Sequence, residues 1–131
     1  MIAVTVVTVL AFAVLAILVY RFWKPKPKRE VPVGEARLYF FYTEWCGWSQ
    51  KAIPEWEKLE QELKQVSRFG KTHITPVRVN AEEDRETAML YEIEAFPTIL
   101  LETSDGLYPY DKVPKAEGLL AFLEQTLGKK A

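Results

Sequence analysis

Cysteine is almost absent. Cys46 is the only one in 131 residues, so no disulfide can form within one chain, and any thiol chemistry rests on a single sulfur. Histidine is as scarce: His73 is alone. With no second His or Cys to complete a ligand set, neither a metal site nor another cofactor is expected. An excess of positive charge is also lacking. Seventeen Lys and Arg against 18 Asp and Glu leave a net charge of −1, and with no basic face or base-reading motif a nucleic-acid partner is excluded. No internal repeat occurs, and low complexity is confined to one short proline-lysine run.

Charge is missing altogether from Met1 to Tyr20, a stretch rich in Val, Leu, Ala and Ile. As a helix rising about 1.5 Å per residue, residues 2–20 would extend roughly 28 Å, close to the hydrocarbon thickness of a bilayer. A lipid bilayer is therefore an expected partner of residues 2–20, in a transmembrane anchor over 1–23. A cleaved signal peptide would place its basic residues before the apolar run and a small-x-small site after it. Here Arg21, Trp23 and Lys24 follow the run and read as an interfacial flank. Arg21, Lys24, Lys26, Lys28 and Arg29 all lie on that side, so the positive-inside rule predicts a single-pass protein with its C-terminal domain in the cytosol. A lone cysteine suits that reducing compartment.

Residues 24–33 form a basic linker, in which Pro25, Pro27 and Pro32 forbid helix and predict an extended spacer of up to roughly 30 Å. The domain over 34–131 carries 12 basic and 17 acidic residues, a net charge of −5. Arg37 to Tyr42 reads as a central strand covered on both faces. Ile53, Trp56, Leu59, Leu63 and Val66 mark the buried face of a helix ending near Gly70. Ile74 to Val79 predicts a strand, with Pro76 implying an edge or an irregular start. A polar stretch then turns helical near Glu83, with Ala88, Met89 and Tyr91 available to pack. A hairpin follows around Ser104-Asp105-Gly106, and a last helix has Leu119, Leu120, Leu123 and Leu127 on one face, closed by Gly128. The order β-α-β-α-β-β-α places Cys46 at the carboxyl end of the first strand, where α/β sheets keep their sites. At the first turn of a helix, unpaired backbone N–H groups stabilise its thiolate and lower its pKa.

Trp45-Cys46-Gly47-Trp48-Ser49 resembles the active-site segment of the thioredoxin superfamily, Trp-Cys-Gly-x-Cys, with serine at the second cysteine. Pro54 lies eight residues after Cys46, like the proline of the thioredoxin active-site helix. Ala95-Phe96-Pro97-Thr98 is similar to the loop whose cis-proline packs on the reactive sulfur. The resemblance implies a thioredoxin-like three-layer α/β fold with a central mixed sheet behind the transmembrane helix. It implies Cys46, Ser49 and Pro97 as catalytic residues, and Trp45, Gly47, Trp48, Phe96 and Thr98 as the partner-binding surface. Two departures argue against a dithiol cycle. Ser49 cannot resolve a mixed disulfide, although it can hydrogen-bond the Cys46 thiolate. Phe40 stands where thioredoxins bury an aspartate, and Arg78 where they carry the lysine near it. The expected function is mixed-disulfide formation or thiol-disulfide exchange through Cys46 alone, with a protein client or glutathione. The alternative is a non-catalytic module of a membrane or capsid assembly, such as a virion membrane protein, using the Trp-rich surface as an interaction platform.

Overall fold

The computed structural model describes the backbone of residues 1–22 and 30–131. Trp23, Lys24, Pro25 and Pro27, assigned above to the anchor flank and the linker, lie outside the described residues.

Helix α1 spans Ile2–Phe22. Its stretch Ile2–Arg21 is long and apolar enough to cross a membrane and buries nothing against the rest of the protein. Apolar side chains on all sides suit a surround of lipid better than one packed face. The threonine hydroxyls do not interrupt this surface: Thr5 donates to the Ile2 carbonyl at 2.8 Å and Thr8 to the Thr5 carbonyl at 2.9 Å, so both are satisfied within the helix.

Strand β1 (Glu35–Tyr42) lies at the centre of a five-stranded sheet of order β2-β3-β1-β4-β5. It runs parallel to β3 (Thr72–Asn80) and antiparallel to β4 (Thr98–Thr103), which pairs with β5 (Gly106–Tyr110). Its alternation sorts two cores. Ala36, Leu38 and Phe40 point to one face, under α2 (Gly47–Gln65) and α4 (Ala116–Leu127), and meet Trp56, Leu59, Leu63, Leu119 and Leu123. Tyr39 and Phe41 point to the other face and meet Ala88 of α3 (Arg85–Leu90) and Tyr91. Each such large side chain removed from water contributes about 1.5–3 kcal/mol. The result is a three-layer α/β fold with a mixed central sheet.

Four local readings change. The helix expected to end near Gly70 stops at Gln65, where the Val66 N–H bonds the Glu62 carbonyl. The freed chain makes a two-residue strand, β2 (Arg68–Phe69), which pairs with Thr72 and His73. Gly70 is the turn of this hairpin, with φ of +56°. Met89 does not pack but stands 76% exposed, while Ala88 and Tyr91 are buried. Finally, Val31 is buried and the Pro32 carbonyl accepts from the Glu35 N–H, so packing begins before Gly34. Because β2 covers β3 only at its start, Pro76 lies beside an open edge, where its missing N–H leaves no unpaired donor.

Gly70 supports a prediction. A Cβ there would run into the Leu127 carbonyl, which no side-chain movement can relieve. Gly70→Ala should lower unfolding stability by at least the roughly 1–2 kcal/mol of a left-handed alanine, read as a lower urea midpoint with unchanged slope. An unchanged midpoint would contradict this packing of hairpin against α4.

Candidate active site

Strand β1 ends at Tyr42 and α2 begins at Gly47, so Cys46 is the N-cap residue of α2, with φ −83° and ψ 119°. No side chain caps the helix there, which leaves its first N–H groups directed at the sulfur. The thiol pKa is lowered, chiefly by the Ser49 backbone N–H; desolvation opposes this as the next largest effect, and the Trp48 N–H and the Ser49 hydroxyl add smaller lowering contributions. Cys46 is partly exposed. Its thiol faces the carbonyl of Phe96 at 3.6 Å, across a peptide bond from Pro97, and the Phe96–Pro97 peptide is cis.

Ser49 is fully buried. Its Oγ accepts from the Thr43 N–H at 3.3 Å, and its own proton remains available to the Cys46 sulfur. On β1 beneath α2 lies Phe40, whose ring stacks on Trp56 of α2 with centroids 5.0 Å apart and on Tyr42 at 5.3 Å. No carboxylate is therefore buried beneath the thiol at this position. Arg78 turns outward instead, pairing with Glu57 at 3.2 Å and Glu60 at 3.3 Å on α2. Glu60 also accepts from the Trp56 indole N–H at 2.7 Å.

Trp45 and Trp48 flank the thiol at 68% and 69% exposure, an unusual outlay of apolar surface for two tryptophans. Gly47 leaves open space beside the helix start. Thr98 faces its own loop: its hydroxyl donates to the Ala95 carbonyl at 2.7 Å and closes the turn that presents Phe96 and Pro97. Cys46, Ser49, Trp48, Phe96 and Pro97 thus share one end of the sheet. Arg21 lies on α1, outside this site.

Part of the site was not anticipated. Strand β5 pairs Tyr110 with Ile99, so the chain after β5 returns to the Phe96–Pro97 end. A cavity of about 170 Å3 separates Trp48 and Pro97 from Tyr110, Lys112 and Val113. A second, of about 160 Å3, shares Trp48, Val113 and Pro114 with the first and extends to Lys51, Glu55 and Lys115. Lys51 Nζ sits 4.9 Å from the Trp48 ring centroid. Glu55 fixes the return loop by accepting from the Ala116 N–H at 3.0 Å, which holds its carboxyl below the usual carboxylate range. The signal for this wall was topological: in a hairpin as short as residues 98–110, the exit of β5 must lie beside the entry of β4.

The thioredoxin family profile matches residues 30–125. Protein disulfide isomerase-like 1-1 of Arabidopsis thaliana is 31% identical over 90 residues, 67% of this chain and 18% of that protein. A mitochondrial thioredoxin domain-containing protein of Schizosaccharomyces pombe is 32% identical over 75 residues, 57% of this chain and 18% of its own. The chain thus spans less than a fifth of the length of these curated relatives. Among solved structures, the first thioredoxin domain of mouse protein disulfide-isomerase A4 superposes with a TM-score of 0.59 at 24% identity, covering 70% of this chain and 62% of that one. A malarial protein superposes with a TM-score of 0.57 at 18% identity, covering 71% and 97%. With the profile matched over most of its length and protein disulfide-isomerases among its relatives, the chain belongs to the thioredoxin family.

Proposed function

We propose that this protein is a membrane-anchored thioredoxin-like protein that exchanges disulfides through Cys46 alone. The observation that carries the reading is the Cys46 sulfur at the start of α2, its thiolate favoured by the Ser49 and Trp48 N–H groups and its open side facing the Phe96–Pro97 loop. The thiolate attacks one sulfur of a disulfide in a protein client or in oxidised glutathione. A bond from Cys46 to that sulfur forms, the old S–S bond breaks, and the other sulfur leaves as a thiolate. Ser49 supplies a hydrogen bond but no second thiol, so the mixed disulfide persists until an external thiol attacks it. Isomerase-like shuffling of client disulfides fits this chemistry, since attack and release need no net oxidant. Helix α1 would tether the site to a bilayer. The basic residues after it favour a cytosolic domain, and in intact vesicles protease added to the cytosolic face should then remove residues 30–131. Protection there would reverse the orientation.

The test is capture. The full chain should form mixed disulfides with clients that survive without added thiol and are released by it, and Cys46→Ala should form none. The exposure of Trp45 and Trp48 favours one other reading, a binding platform in which the sulfur is incidental. Capture that survives Cys46→Ala but is lost in Trp48→Ala would select that reading.

A further inference from the structure

The surface around Trp48 does not share the charge of the domain. Residues 34–131 carry a net charge of −5, yet the two cavities beside Trp48 take three ammonium groups, those of Lys51, Lys112 and Lys115. Lys51 comes from α2, and the other two from the loop between β5 and α4, more than 60 residues later. All three lysines are exposed. Among the described residues none of them forms an ion pair. The one carboxylate in either lining, that of Glu55, is engaged by the Ala116 N–H and by Lys58 at 2.9 Å, and it attracts Lys115 at longer range without an ion-pair contact. Asp111 and Glu44, sequence neighbours of this face, line neither cavity. What is left is an apolar ridge and floor of Trp48, Pro97 and Val113 inside a rim of three cations, of which only Lys115 has a carboxylate, that of Glu55, within its field.

We infer that this face selects an extended client segment with an apolar side chain next to its reactive cysteine and carboxylates on either side of it. The apolar side chain fills the cavity between Trp48 and Pro97, and the carboxylates meet Lys112 on one side and Lys51 and Lys115 on the other. Attraction of this kind acts mainly on encounter and on choice of partner. The inference rests on Cys46 as the attacking thiol and names the chemistry of its substrate.

The experiment uses the full chain in detergent micelles and two peptides, each with one cysteine activated as a 2-pyridyl disulfide beside a leucine. One peptide is flanked by glutamates and the other by lysines. Cys46 thiolate attacks the peptide cysteine sulfur, the bond to the pyridyl sulfur breaks, and pyridine-2-thiolate leaves, takes up a proton and is read as the absorbing thione. Rates are divided by the alkylation rate with uncharged iodoacetamide, which reports the thiol independently of the rim. The glutamate peptide should react about tenfold faster at low salt, and the gap should close near 1 M salt, where the screening length is about 3 Å. Combined Lys51→Glu, Lys112→Glu and Lys115→Glu should reverse the preference. Equal normalised rates, or a preference that survives the triple substitution, would overturn the inference while leaving Cys46 exchange intact. A thiol inert to every reagent would sink the exchange reading instead. The inference would then stand or fall on polarisation binding of labelled glutamate and lysine peptides to Cys46→Ser, with tighter glutamate binding supporting it and equal binding overturning it. Trp48 shielded from iodide in anionic but not zwitterionic nanodiscs, without peptide preference, would assign the face to lipid and also overturn it.

Discussion

Ser49→Cys should turn a chain that holds its mixed disulfide into one that lets it go. The native chain has no second thiol, so under the proposed exchange only an external thiol would release the partner, and without one the adduct should persist. The introduced thiol would occupy the position of an Oγ that already reaches the Cys46 sulfur. Its attack would form a bond to that sulfur and expel the partner as thiolate. An intramolecular attacker acts at an effective concentration of millimolar or far above, so release should go to completion where the native chain shows none. The position is fully buried and Phe40 offers no proton acceptor beneath it. Burial keeps the new thiol protonated at neutral pH, so release should accelerate about tenfold per pH unit until that thiol ionises. Mass spectrometry of a glutathione adduct of the purified full chain, followed over pH 6–10 without reductant, reads both effects. An adduct as persistent in Ser49→Cys as in the native chain would show that the position does not face the sulfur.

The second large effect concerns the same departure from the family pattern, read from the core. Phe40→Asp should destabilise the domain by more than the roughly 3–5 kcal/mol typical of Phe→Ala, against a total stability of about 5–15 kcal/mol. The ring packs flat on Trp56 and Tyr42, and the side chain is inaccessible to water. An aspartate there would lose that packing and bring in a carboxyl with no cation beside it, because Arg78 points outward to Glu57 and Glu60. Phe40→Leu, which keeps most of the volume, should cost about 1.5 kcal/mol or less. Urea unfolding of the full chain in micelles, followed by tryptophan fluorescence, orders the two variants. Near-native stability in Phe40→Asp would mean that the interior beneath the thiol still accommodates an acid, contrary to the packing described here.

The elements with a strong period were legible from the chain itself. Leu38, Phe40 and their neighbours read as a two-faced strand because both faces are covered, and Trp56, Leu59 and Leu63 read as a helix face because they are one. Cys46 was legible for a different reason: a lone thiol between an apolar run and a helical pattern has a helix N-terminus beside it whatever the rest of the fold does. The hairpin of β2 and β3 was not legible. A two-residue strand has no period to detect, and Gly70 satisfies a helix stop and a hairpin turn equally well. Tyr91 and Glu102 show a similar limit. Glu102 is buried within Leu100-Leu101-Glu102, where the Tyr91 hydroxyl donates to its carboxylate at 2.8 Å, and burial beside that carboxylate raises the Tyr91 pKa. Only the pairing of distant segments identifies such a partner. The cationic rim around Trp48 escaped for the same reason, since Lys112 comes to the Trp48 face that Lys51 borders only once β5 is paired to β4.

The central claim is that the fold still activates one nucleophile. It is tested most directly by the pH dependence of Cys46 alkylation in the full chain, with the urea-unfolded chain as reference. The unfolded thiol should titrate near about 8.5, and the folded one below it, because the Ser49 and Trp48 N–H groups favour the thiolate. The sign carries to stability: this contribution is fully present above the unfolded pKa and is lost as pH falls through the folded one. A folded-state midpoint below the reference, with faster alkylation at pH 7, is the predicted result. A midpoint at or above the reference would contradict the account, leaving the Trp48 face as a binding surface without its chemistry.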